Sequence, residues 1–138
     1  MKYFDYKTRV RYSETDQLHV AYYGRYFEWF EAARVEYIRV LGISYATLEE
    51  KGYFLPVVEA QCAYHRPARY DDILVIKTSV NMMKNTSLRF YYEVFIEGQT
   101  EKLASGTTTH AFVDPSMKPI RIPELIREKI EVVSTPSA

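Results

Sequence analysis

The chain has 138 residues, the size of one domain, and 47% of them are apolar, enough to bury a real core. Lys plus Arg number 18 and Asp plus Glu 18, so the formal charge is zero and the basic excess of a general nucleic-acid binder is missing. A single cysteine, Cys62, excludes an internal disulfide.

Residues 3–12 alternate loosely and predict a first strand with Tyr6, Thr8, Val10 and Tyr12 on one face. A polar loop over 13–22 follows. From Gly24 to about Leu41, the residues Tyr26, Phe27, Phe30, Ala33, Tyr37, Ile38 and Leu41 recur at three- and four-residue steps, the signature of a long amphipathic helix. Its stripe is wide and bulky, so it should pack on something large, most simply a sheet. Gly42 is placed to end it, and Ser44 can cap a short helix from Tyr45 to Lys51 that Gly52 stops.

After Gly52 the period changes to two, predicting strands over 53–65, 73–83, 87–97 and 102–113. On the third strand Leu74, Ile76, Thr78 and Val80 share a face. On the fourth, Leu88, Phe90, Tyr92, Val94 and Ile96 do. On the last, Leu103, Ser105, Thr107, Thr109, Ala111 and Val113 are the expected apolar side. Pro123 opens a short terminal helix reaching about Glu131, and 134–138 are expected to be a disordered tail. The fold class is therefore α+β, an antiparallel five-stranded sheet curled around one long central helix. Phe95, Tyr91 and Phe112 fall on the less apolar sides of their strands, and the exposed outer face and edges suggest oligomerisation. Thirteen tyrosines suit pocket walls and subunit contacts.

No Ser, Thr, Asn or Asp stands directly before the long helix; Tyr22, Tyr23 and Gly24 are there instead. An uncapped helix start offers free N–H donors and about half a positive charge. Asp16 lies in the loop seven residues before Tyr23. A carbonyl between them would meet donors at its oxygen and a base or nucleophile at its carbon. The alternative is that Asp16 only caps its own loop and solvent satisfies the helix start. Tyr12 could orient that carboxylate or be an ordinary core residue, and Glu14 reads as a supporting or solvated group. Arg66 and Arg69, in a polar break between strands, are candidates for phosphate contact, with Lys84, Ser87 and Arg89 as possible additions. His19, His65 and His110 lack metal-ligand spacing, so no metal or other cofactor is expected. No apolar run is long enough for a membrane span and no charged-then-apolar leader opens the chain, so the expected location is the cytoplasm.

The segments Tyr12–Asp16, Ala21–Arg34 and Tyr64–Asp72 resemble the hot-dog-fold acyl-CoA thioesterases of the 4-hydroxybenzoyl-CoA thioesterase family, over about residues 5–130. The resemblance implies one hot-dog domain over 1–133 that hydrolyses an acyl-CoA to a free acid and CoA, and a homo-oligomer, dimer or homotetramer, with active sites between subunits. Asp16 matches the family's catalytic aspartate. Tyr23 matches the position whose backbone N–H contacts the thioester oxygen, and Gly24 follows it. Tyr12 matches an active-site tyrosine of the Tol–Pal-linked short-chain branch, whose histidine is replaced here by Tyr23. Other readings are a hydratase or dehydratase on the same fold, for which His19 is the only nearby imidazole, and a non-catalytic acyl-CoA or acyl-carrier binding protein.

Overall fold

The computed structural model describes residues 1–134. Strand β1 (Phe4–Arg9) precedes helix α1 (Arg25–Val40) and the short helix α2 (Tyr45–Glu50). Strands β2 (Val57–Tyr64), β3 (Ile73–Met83), β4 (Ser87–Ile96) and β5 (Lys102–Ala111) then lead to α3 (Glu124–Lys129). All five strands form one antiparallel sheet in the order β1-β3-β4-β5-β2. Of the expected tail, residues 135–138 lie outside the described residues.

The sheet curls around α1, as the aromatic stripe requires. Tyr26, Trp29, Phe30, Ala33, Tyr37 and Ile38 are buried along the helix: Trp29 joins the expected stripe, while its Phe27 and Leu41 are only partly buried. The ring of Phe30 stacks on Tyr92 of β4 at 4.2 Å, nearly parallel, and Tyr37 meets Phe90 edge-on. Leu74, Ile76, Thr78 and Val80 of β3 and Leu88, Phe90, Tyr92 and Val94 of β4 face the helix, fully buried.

On β5 the expectation is reversed. Apart from Leu103 at its start, the buried residues are Ala104, Gly106, Thr108 and His110, while Ser105, Thr107, Thr109 and Ala111 are only half-buried. Helix packing decides between two faces of similar hydropathy: a Cβ on Gly106 would lie 2.6 Å from Phe30, so only glycine lets that ring reach the strand. Phe112, expected on the less apolar side, is fully buried just past the strand's end. β2 is shorter than 53–65 and mostly exposed, because it is a sheet edge paired only to β5. β1 ends at Arg9, and Tyr12 belongs to a 3-10 turn over Tyr12–Glu14 rather than to the strand.

Under the sheet runs a buried polar chain. His110 donates from Nδ1 to the Leu55 carbonyl (3.1 Å), so its Nε2 is the acceptor for the Thr108 hydroxyl at 2.9 Å. Tyr92 then donates to Thr108 Oγ1 at 2.6 Å. Burial pulls the His110 imidazole down to about 4, with the Arg34 charge adding to the effect against the Leu55 hydrogen bond, so the ring is neutral.

Candidate active site

The loop before α1 doubles back on itself. Thr15 bridges Ala21, Val20 bridges Arg69, and His19 takes a left-handed φ of 64° at the tip. The amides of Ala21 and Tyr22 are used up on the carbonyls of Ala68 (2.7 Å) and Glu14 (2.8 Å). Those of Arg25 and Tyr26 turn back to Tyr22 and Tyr23. The amides of Tyr23 and Gly24 have no hydrogen-bond acceptor among the described residues, and no side chain caps the helix. Donors and helix dipole therefore coincide at one point.

Asp16 is half-buried beside that point. Its Oδ1 accepts the Leu18 amide at 2.8 Å, the loop-capping role, while Oδ2 accepts no hydrogen bond among the described residues. The carboxylate stands on the wall between two depressions. One, of about 360 Å³, is lined by Ser13, Thr15, Tyr22, Gly24, Arg25 and Glu28 as well as Asp16. The other, of about 330 Å³, is aromatic: Tyr23, Tyr26 and Tyr64 line it, with Val20, Ala21, Pro67 and, at its rim, His65 and Arg66. The Tyr22 phenol is raised above its usual range, first by a hydrogen bond with the Tyr23 side chain, and in smaller part by the Asp16 charge.

The structure thus brings Asp16, Tyr23 and Gly24 together. Tyr12 it places outward, 75% exposed, with its ring edge-on to Tyr70 at 5.6 Å and outside both depressions. Arg66 borders the aromatic depression but is paired with Glu101 at 3.0 Å. Arg69 is exposed, with its amide on Asp72. Lys84 and Ser87 flank the β3–β4 turn, and Arg89 is bound to Asn81 at 2.8 Å. Arg66 follows β2 and takes the Leu103 carbonyl at the start of β5, whereas Ser87 pairs with Ala111 at its end. Eight residues of strand, about 27 Å, separate those two ends, so the arginines and the Lys84–Arg89 group do not converge in one chain.

Two contributors, Tyr26 and Tyr64, are not marked as site residues by the sequence, and Glu14 takes the first of its two readings, a supporting group. Glu14 is 4% exposed rather than solvated, with its carboxylate held by the Trp29 indole. Tyr26 carries the aromatic wall. Tyr64 donates from its hydroxyl to the Tyr23 carbonyl at 2.9 Å. The one sequence signal for Tyr64 is its position at the end of an edge strand, directly before the polar break. Among the described residues no group of three or more His, Cys, Asp or Glu side chains could hold a metal ion, and no helix is long and apolar enough to cross a membrane.

A family model described as the thioesterase superfamily matches residues 18–103. The acyl-CoA thioesterase YbgC of Haemophilus influenzae is 34% identical over 126 residues, 90% of this chain and 91% of that protein. Among solved structures, a hypothetical protein of Aquifex aeolicus superposes with a TM-score of 0.87 at 30% identity, covering 93% of this chain and 99% of that one. The DHNA-CoA thioesterase of Staphylococcus aureus gives 0.84 at 33% identity, covering 93% and 86%. With the curled sheet, the central helix and these relatives in agreement, the chain belongs to the thioesterase superfamily and has its hot-dog fold.

Proposed function

We propose that this protein is an acyl-CoA thioesterase, that Asp16 is its catalytic carboxylate, and that the helix start at Tyr23 and Gly24 polarises the thioester carbonyl. The observation that carries the reading is the free Oδ2 of Asp16 on the wall between two depressions, beside two amides with no acceptor. The carbonyl oxygen takes those amides and gains negative charge as the carbon becomes tetrahedral; one such donor is worth about 3 kcal/mol. Asp16 either takes a proton from the attacking water or attacks the carbon itself, to be released by water in a second step. In both courses a C–O bond forms, the C–S bond breaks, and the CoA thiolate leaves and is protonated. The scheme asks for no metal or redox cofactor.

Arg66, at the rim of the aromatic depression, and Arg69 beyond it are the proposed contacts for CoA phosphates. Lys84, Ser87 and Arg89 reach the same nucleotide only if another subunit brings them to it. Tyr12, outside both depressions, takes no part in this scheme within one subunit. The unpaired edge of β2, with Val57, Val58 and Tyr64 exposed, supports a dimer or homotetramer. One free thiol, Cys62, is in keeping with the cytoplasm.

Asp16→Asn tests the assignment. On the best substrate from a panel of short, long and aryl acyl-CoAs, kcat should fall at least about a hundredfold with the unfolding transition unchanged. Near wild-type turnover would remove Asp16 from the mechanism.

A further inference from the structure

We propose that Tyr64, on the edge strand β2, is a positioning residue for this reaction: its hydroxyl fixes and polarises the peptide unit that joins Tyr23 to Gly24, and so aims the Gly24 amide at the substrate oxygen. The proposal rests on the thioesterase reading above and adds to it a residue outside the helix and its loop.

The peptide is planar, with C=O and N–H directed oppositely. The Tyr23 carbonyl accepts the Tyr64 hydroxyl at 2.9 Å, shorter than its bond from the Tyr26 amide at 3.3 Å. Holding the oxygen toward β2 holds the N–H on the far side, where Gly24 lines the depression it shares with Asp16. A carbonyl can only accept, so the proton lies on Tyr64. Partial burial, then the Cys62 thiol, keeps the Tyr64 phenol raised well above its usual range, and the donor persists at any working pH. A hydrogen bond to one end of an amide strengthens the donor at the other, by 10–30% in condensed-phase estimates. The Tyr64 ring packs edge-on to Tyr26 at 4.9 Å and to Tyr23 at 6.3 Å. Its strand is fixed in register by Tyr64 opposite Ala104. The edge strand thereby controls the mouth of the helix.

Tyr64→Phe removes the hydroxyl and keeps the ring contacts. The expected result is a fall in kcat of about tenfold with KM within twofold. A merely structural role would leave one further readout unmoved. A non-hydrolysable ketone analogue of the acyl-CoA, with a methylene between sulfur and carbonyl, should show a carbonyl stretch lowered on binding to the wild type. The shift should be smaller on Tyr64→Phe. An unchanged kcat overturns the proposal, and so does a lower kcat with the stretch shift intact, because packing alone would then account for the loss. The underlying reading fails separately: if the wild type hydrolyses no acyl-CoA, or Asp16→Asn retains full turnover, the reaction itself is misassigned whatever Tyr64→Phe does.

Discussion

The Trp29 indole donates to Glu14 Oε2 at 2.9 Å in a buried contact that joins the loop carrying Asp16 to helix α1. The other carboxylate oxygen takes the Arg11 amide at 2.7 Å, and the Glu14 carbonyl takes the Tyr22 amide at 2.8 Å. One residue therefore holds both ends of the loop that carries Asp16. Glu14→Gln keeps the shape but turns a donor NH2 toward one of two donors. A loss of about 2 kcal/mol is expected, in the range for a hydrogen bond to a charged group. Urea unfolding of the variant against wild type measures it. A change within 0.5 kcal/mol, the usual scatter of surface substitutions, would show that the buried carboxylate is not a structural tie.

Gly106→Ala should be among the most damaging single-methyl changes in the chain. The added carbon would meet Phe30 on one side and the Gln61 carbonyl on the other, each at 2.6 Å. Neither can yield cheaply: Phe30 is stacked on Tyr92, and Gln61 is backbone in the β2–β5 ladder. Overpacking of this kind costs about 1–3 kcal/mol. Faster amide exchange along β2 than along β3 in the variant would locate the damage at the edge strand, and an unshifted unfolding midpoint would refute the contact.

The helix and the central strands are legible because their patterns have one solution. The α1 stripe repeats at helical steps and is closed by Gly42, with φ of +86°; β4 alternates cleanly, and β3 does so as far as Thr78, so their bounds and core faces follow from sequence. β5 is not legible in this way, since Thr107 and Thr109 differ little from Thr108 in hydropathy, and only the fit of Phe30 against Gly106 selects the face. In the site, Asp16 and the uncapped helix start stand out from spacing and from missing cap residues. The division of labour between the two Asp16 oxygens does not, because it depends on the Leu18 amide meeting one of them. The sequence leaves Glu14 as a supporting or solvated group; the reversal between Thr15 and Ala21 is what puts it beneath Trp29 and decides for the first. Tyr64 reaches the site from a strand forty-one residues beyond Tyr23, a pairing that only the sheet topology creates.

Stability should depend on His110 at mildly acid pH. Its folded value, about 4, lies below the ordinary 6.5, so between these values the unfolded chain binds the proton and the folded one does not. The contribution is fully present above pH 6.5 and is lost as pH falls toward 4. At 1.36 kcal/mol per pH unit the loss amounts to about 3 kcal/mol. Urea unfolding at pH 7 and pH 4.5 should show a drop in wild type. A His110→Gln variant should lack that part of the drop while being less stable at pH 7, because the chain through Thr108 and Tyr92 is broken. Equal pH slopes in the two proteins would mean that another group governs the acid limb.

Arg66 provides the test of how the substrate's nucleotide end is held. It stands at the rim of the aromatic depression, and its partner Glu101 is exposed, so the 3.0 Å ion pair is weak enough to be exchanged for a phosphate. Arg66→Ala should raise KM for an acyl-CoA about tenfold, the effect of one charge-assisted hydrogen bond, and leave kcat within twofold. The same acyl group on pantetheine, which has no phosphate, should show no change in KM. Glu101→Gln should act in the opposite direction, lowering KM for the CoA thioester by freeing the guanidinium. A double substitution of Lys84 and Arg89, about 20 Å or more away along the sheet, separates the two possible phosphate sites. If that pair raises KM and Arg66→Ala does not, the nucleotide lies on the β3–β4 turn of a neighbouring subunit rather than beside the depression that Arg66 borders.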